Sequence, residues 1–164
     1  MSKSRLLIFV DCNVLIEGFL MPLHAAGGIM VLAGNKQVDL ITCKLVVDDV
    51  EKEILKRSAK KNDYELVNAW TKLLEEIRLR IMPDPEAALV KETLDKYWGI
   101  MRHKADIPVL ASAIELGPNL ILSDNRTHFN DAVSERSGIR IFSCEEFLAN
   151  LIAGKIQGLQ VTAE

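Results

Sequence analysis

The chain alternates short, unbroken apolar runs with longer stretches in which apolar residues recur every three or four positions. Leu6-Leu-Ile-Phe-Val10 is one such run, closed by Asp11, as expected of a strand buried on both faces of a parallel sheet. Val14, Leu15 and Phe19 or Leu20 then carry helical spacing that stops near Met21-Pro22. Segment 24–34 is small and Gly-rich, and fits a short helix or a loop. Residues 37–42 predict a second strand. Val46, Val47, Val50 and Ile54 give 44–58 a helical stripe, and 62–76 repeats the amphipathic pattern before a short strand at 77–82. A further helix is predicted over 86–100. Asp106 opens another, with Pro108 in its first turn, where a missing N–H costs little. Gly117-Pro118 ends it. Segments 119–122 and 139–142 predict two more strands, and about 145–153 a last helix.

Strands alternating with helices indicate an α/β domain with a central, mostly parallel sheet. No internal repeat, low-complexity tract or linker divides the chain, so 1–164 is expected to form a single domain.

Composition refines this picture. Apolar residues make up 49% and charged residues 26%, which excludes a disordered chain. The net charge of −3 repels phosphate in bulk, so a nucleic-acid partner would need local basic segments or bound cations. Cys12, Cys43 and Cys144 are odd in number, widely spaced and without a CxxC. They read as reduced thiols of a cytoplasmic protein rather than a disulfide framework. The run 6–10 is too short for a signal peptide, and no apolar stretch is long enough to span a bilayer.

The chemistry sits in the carboxylates. In open α/β sheets, ligands gather beyond the carboxyl ends of the strands. Asp11 follows the first strand directly, with Asn13 two residues on, and Asp124 follows 119–122 in Ser123-Asp124-Asn125. Either Asp alone could fold an Asx-turn or cap the next helix. Asp106 could be the first-turn anion of its helix, yet it shares a helical stripe with Val109, Leu110 and Ala113 and so faces the sheet side. Within Asp48-Asp49-Val50-Glu51-Lys52-Glu53, Asp49 borders the stripe of Val46 and Val50 and is the expected inward acid. Glu53 stands behind it as the alternative; Asp48 and Glu51 are better placed to face water. Carboxylates brought together at neutral pH repel, and a hard divalent cation, Mg²⁺ or Mn²⁺, is the natural compensation. His24, His103 and His128 show no zinc spacing. A cation so held supports phosphodiester hydrolysis.

Four segments resemble the motifs of PIN-domain ribonucleases, in order. Ile8-Phe-Val-Asp-Cys-Asn-Val-Leu-Ile16 is similar to the first, a strand ending in Asp with Asn two residues later. Thr42-Cys-Lys-Leu-Val-Val-Asp-Asp-Val50 resembles the second, with Asp49 where the family usually has Glu and Cys43 where it usually has Ser. Asp106-Ile-Pro-Val-Leu-Ala-Ser-Ala113 resembles the third, and Leu120-Ile-Leu-Ser-Asp-Asn-Arg-Thr-His-Phe129 the fourth. The motifs lie within 6–142. The resemblance implies a single PIN-like domain with a sheet of about five parallel strands flanked by helices. It implies Mg²⁺ or Mn²⁺ held by Asp11, Asp106, Asp124 and Asp49, with Asn13 and Ser123 hydrogen-bonding the carboxylates. RNA is the implied substrate, cut to 5′-phosphate and 3′-hydroxyl ends. Many relatives are VapC-like toxins that pair with an antitoxin protein and form homodimers, while others process RNA.

Arg102, His103, Lys104 and Arg126 lie beside motif acids and are candidates for contact with the RNA backbone; solvated surface charge is the plainer reading. Trp70, Tyr97 and Trp98 could stack bases, although packing is their commoner use. Two other readings compete. A haloacid-dehalogenase-like phosphatase would use Asp11 as nucleophile, but position 13 is Asn rather than the required acid. An inactive PIN-like module would bind RNA or protein without cleaving.

Overall fold

The computed structural model describes residues 4–156; the ends of the expected domain, 1–3 and 157–164, lie outside the described residues. Five strands, β1 (Leu6–Val10), β2 (Val38–Cys43), β3 (Arg80–Met82), β4 (Leu120–Leu122) and β5 (Arg140–Phe142), form one sheet in the order β3-β2-β1-β4-β5. Every pairing is parallel. The helices are α1 (Cys12–Leu20), α2 (Ala25–Gly34), α3 (Lys44–Lys61), α4 (Glu65–Ile77), α5 (Ala87–Tyr97), α6 (Ile107–Leu116), α7 (Asp131–Ser137) and α8 (Cys144–Ile152).

This order explains why the apolar runs are unbroken. β1 is central, and Ile8, Phe9 and Val10 are fully buried, as are Leu120, Ile121 and Leu122 of β4 beside it. Helices cover the sheet, and each fully buried side chain of this size stabilises the fold by about 1.5–3 kcal/mol. The chain leaves β1 towards β2 on one side and reaches β4 on the other. β1 and β4 therefore flank a topological switch point, where a crevice opens at the strands' carboxyl ends. Thr42 Oγ1 donates to the Val10 carbonyl at 2.8 Å, pinning β2 to β1 beneath that crevice.

The Gly-rich segment 24–34 is helical. α2 meets α1 at a 90° bend, and the glycines permit the contact: a Cβ on Gly27 would lie 1.9 Å from the Pro22 carbonyl oxygen. Predicted strand 77–82 shortens to β3, because α4 runs on to Ile77 and closes at Arg78 in the left-handed region (φ 50°). Helix α7 escaped the hydrophobic pattern, being one short turn set with a single buried Val133. Its boundary signals were present: Asn130 Oδ1 accepts the Val133 N–H at 3.0 Å, and Gly138 closes it at φ 71°.

Cys12, Cys43 and Cys144 are free thiols, the latter two buried. Among the described residues, no single helix is long and apolar enough to cross a membrane.

Candidate functional site

Asp11 occupies the first position beyond β1, and its N–H still donates to Leu122 of β4 at 3.1 Å. That bond extends the sheet by one residue and turns the side chain into the crevice. It is 5% exposed. Its Oδ1 accepts from the Cys12 N–H at 2.8 Å, and its Oδ2 accepts from Ser123 Oγ at 2.7 Å and from Asn13 Nδ2 at 3.3 Å. The helix-cap role expected of an isolated strand-end Asp is therefore real, and uses one oxygen only. Burial pushes the Asp11 carboxyl above its ordinary value. The Ser123 and Cys12 donors pull it back, and the nearby negative charge of Asp106 adds to the upward push. All its hydrogen-bond donors are neutral, so nothing among them compensates the charge.

Asn13 and Ser123 form the frame around it. Asn13 Oδ1 accepts the Asp124 N–H at 3.1 Å, which ties α1 to the loop after β4. Ser123 is fully buried, and its hydroxyl also accepts the Asn125 N–H at 3.2 Å.

Asp124 has an outer face open to solvent, while one oxygen accepts the Cys144 N–H at the start of α8 at 2.9 Å. Desolvation of its inner part raises its pKa, Cys144 opposes this, and the carboxylate of Glu17 raises it further. Glu17 is held below the usual range first by His24, whose Nδ1 lies 2.8 Å away. Glu17, which no strand end or motif marks, thus joins the acidic set. Its signal was the four-residue spacing from Asn13 along α1, which places both on one helix face. Glu17, His24, Asp124, Ser143 and Cys144 line a cleft of about 600 Å³.

Asp106 is the N-cap residue of α6 but makes no capping bond. Its carboxylate is directed elsewhere: it acts electrostatically on Asp11, and its Oδ2 lies 2.5 Å from His128 Nδ1 and 3.4 Å from His103 Nδ1. The Asp106 side chain is partly buried, and its partners lie in the segments before α6 and after β4. The two imidazoles stack at 4.9 Å with planes 7° apart. The expectation that the histidines share no spacing holds along the chain and fails in space, since the switch-point crossing brings residues 103 and 128 together.

The second motif departs from expectation. Asp49 is not an inward acid: its side chain is 54% exposed and pairs with Lys52 at 3.4 Å. The buried stripe of α3 is Val46, Val47, Val50, Ile54 and Ser58; Ser58 extends the expected stripe on the side of Val47, away from Asp49. Asp49 nonetheless stands at the rim of the site. Burial, then the charges of Asp11 and Asp49, push the Cys12 thiol up to about 12. Glu53 lies a turn further along and is bound to Arg57 at 2.7 Å. Asp48 is paired with Lys44 at 2.8 Å.

Of the basic candidates, Arg102, His103 and Lys104 are exposed beside Asp106, and Lys104 Nζ sits 5.2 Å over the exposed Trp98 ring. Arg126 is committed to structure, donating to the Phe129 carbonyl and to Asp131 at 2.8 Å and pairing with Glu146 at 3.6 Å. Trp70 and Tyr97 are buried.

A five-stranded, all-parallel sheet in the order β3-β2-β1-β4-β5, flanked by helices, gives the chain an α/β fold of the PIN-like kind. No protein-family model and no curated protein matches the sequence, and the likeness is carried by structure. The chain is similar to a chain of VapBC2 from Rickettsia felis, solved bound to a DNA fragment from their promoter, at 13% identity and TM-score 0.64, covering 84% of this chain and 98% of that one. It is also similar to PAE2754 from Pyrobaculum aerophilum, at 14% identity and TM-score 0.56, covering 93% and 99%.

Proposed function

We propose that this protein is a metal-dependent endoribonuclease, with Asp11, Asp106 and Asp124 as its cation ligands and Asp49 reaching the cation from the rim. The observation that carries this is Asp11: a buried carboxylate, bonded only to neutral donors, beside a second carboxylate at the sheet's switch point. Oxygen donors of this kind suit Mg²⁺ or Mn²⁺. The three carboxylates do not already lie within 4.8 Å of one another, the group that does, among the described residues, being His103, Asp106 and His128. Asp11 and Asp124 must therefore close on the ion to share it with Asp106. When bound, the cation would neutralise charge on the phosphate and promote ionisation of water. Asn13 and Ser123 hold Asp11 in a single rotamer, and the Cys144 N–H holds Asp124. Arg102 and Lys104 supply local positive charge that offsets the acidic balance where a phosphate backbone would lie. The products would be 5′-phosphate and 3′-hydroxyl ends.

The phosphatase reading loses support from the same geometry. Asn13 spends its amide oxygen on the Asp124 N–H and its amide nitrogen on Asp11 and Ser123, so no proton donor stands two residues after Asp11.

The likeness to a chain from VapBC2 supports a place in a toxin–antitoxin pair with an antitoxin protein as partner; a homodimer as the working form rests on the motif resemblance alone, and RNA processing is the other role the motifs allow. Incubation of a mixed RNA pool with Mn²⁺, Mg²⁺ or chelator tests the activity. Cleavage by the wild type that chelator stops and Asp11→Asn lacks is expected. Near-wild-type cleavage by Asp11→Asn would sink the assignment.

A further inference from the structure

The contact between Asp106 and the two stacked histidines has an unusual polarity. Asp106 Oδ2 is shut off from solvent and makes no hydrogen bond, although His128 Nδ1 is only 2.5 Å away. Asn125 holds the His128 residue beside it: its Oδ1 accepts the His128 backbone N–H at 3.4 Å, and its amide nitrogen lies 2.8 Å from His128 Nδ1. A ring nitrogen and a buried carboxylate oxygen this close attract each other only through a shared cation, a proton on the ring or a metal ion. His103 Nδ1 supplies a third donor at 3.4 Å from the same oxygen, and the donor atoms of all three residues lie within 4.8 Å of one another.

We propose that His103, Asp106 and His128 form a binding site for a first-row transition-metal ion, in a two-imidazole, one-carboxylate arrangement. The separation between His103 and Asp106 is already close to the roughly 3.3 Å edge of a tetrahedron with ligand distances near 2.0–2.1 Å. The His128 edge must open by under about 1 Å to reach it. His103 is 60% exposed and His128 27%, so both rings can adjust. Imidazole nitrogen suits Zn²⁺, Cu²⁺, Ni²⁺ or Fe²⁺ rather than Mg²⁺, and Co²⁺ serves as the spectroscopic probe for such a site. Asp106 is common to this site and to the carboxylate set above, whereas Asp11 belongs only to the latter and the histidines only to the former. The two readings therefore fail separately.

The test is a Co²⁺ titration of the full-length chain, followed by ligand-field absorption and by NMR of the imidazole nitrogens. The wild type is expected to bind one Co²⁺ with both His103 and His128 signals perturbed. His103→Ala and His128→Ala should each weaken binding by at least about 10-fold, while Asp11→Asn binds within about 3-fold of wild type. Thermal melting checks that each variant is folded, and His103→Ala at the exposed ring decides the matter if His128→Ala is not. Undiminished binding by His103→Ala, or loss of binding in Asp11→Asn with both histidines intact, would overturn the proposal.

Discussion

The carboxylate of Asp84 accepts the Leu45 N–H at 2.7 Å, reaching across 39 residues to cap the first turn of α3. Cys43 holds the N-cap position there without making a side-chain bond. β3 pairs with β2 in the register Cys43↔Met82, and that register carries Asp84, two residues past Met82, to the end of α3. The sequence departure at Cys43 is thus compensated from a distant loop, and the helix that presents Asp49 keeps its cap.

Asp84→Ala should therefore lower the unfolding free energy by about 1 kcal/mol, the usual cost of a lost N-cap. Asp84→Asn should recover most of it. Urea denaturation of the three proteins measures this, and an Asp84→Ala midpoint equal to wild type would show that the contact contributes nothing.

Asp11 is costly to the metal-free fold. Its pKa is raised above the ordinary 3.8, so its contribution to stability is fully present below that value and is lost as pH rises through the folded-state pKa. Asp124, raised in the same direction, acts with the same sign. In chelator at neutral pH, Asp11→Asn should be more stable than wild type by on the order of 1 kcal/mol, and the difference should shrink on acidification. Added Mn²⁺ should stabilise the wild type more than the variant. Calorimetry across the acid-to-neutral range reads both effects.

Ser123→Ala removes a bond that holds the Asp11 pKa down. The Asp11 pKa then rises, and the acid limb of metal-dependent RNA cleavage should move to higher pH with little change in the plateau. A pH–rate profile that drops uniformly, without moving, would place the role of Ser123 elsewhere.

Asp49 and Glu53 separate by substitution. Asp49→Ala should reduce metal-dependent cleavage by about 10-fold or more, as loss of a group tuning a metal site does. Glu53→Ala should stay within about 2-fold, since Glu53 is occupied by Arg57. The reverse ranking in initial rates would reassign the second-motif acid.

Gly27→Ala drives a Cβ to within 1.9 Å of a backbone carbonyl. Backbone cannot yield as a side-chain tip can, so a loss of about 2–3 kcal/mol is expected, visible as a lower denaturation midpoint. Gly28→Ala, whose Cβ meets only a Leu148 methyl at 3.2 Å, should cost less.

The sequence by itself determined the parallel α/β class, because strands buried on both faces must be apolar throughout, and that pattern needs no knowledge of neighbours. It also placed Asp11, Asp106 and Asp124 at the ends of elements. Asp49 misled it: the width of a buried stripe depends on what packs against the helix, and Ser58 extended it on the side of Val47, leaving that acid exposed. Glu17, Asp84 and His128 owe their places to strand order, turn geometry and register. Those are long-range consequences of the fold, set by how β1 sits between β2 and β4. Local spacing carries no record of which distant loop will arrive beside a given side chain. Only the folded chain decided that Cys43 would borrow a cap and that His103 and His128 would close on Asp106.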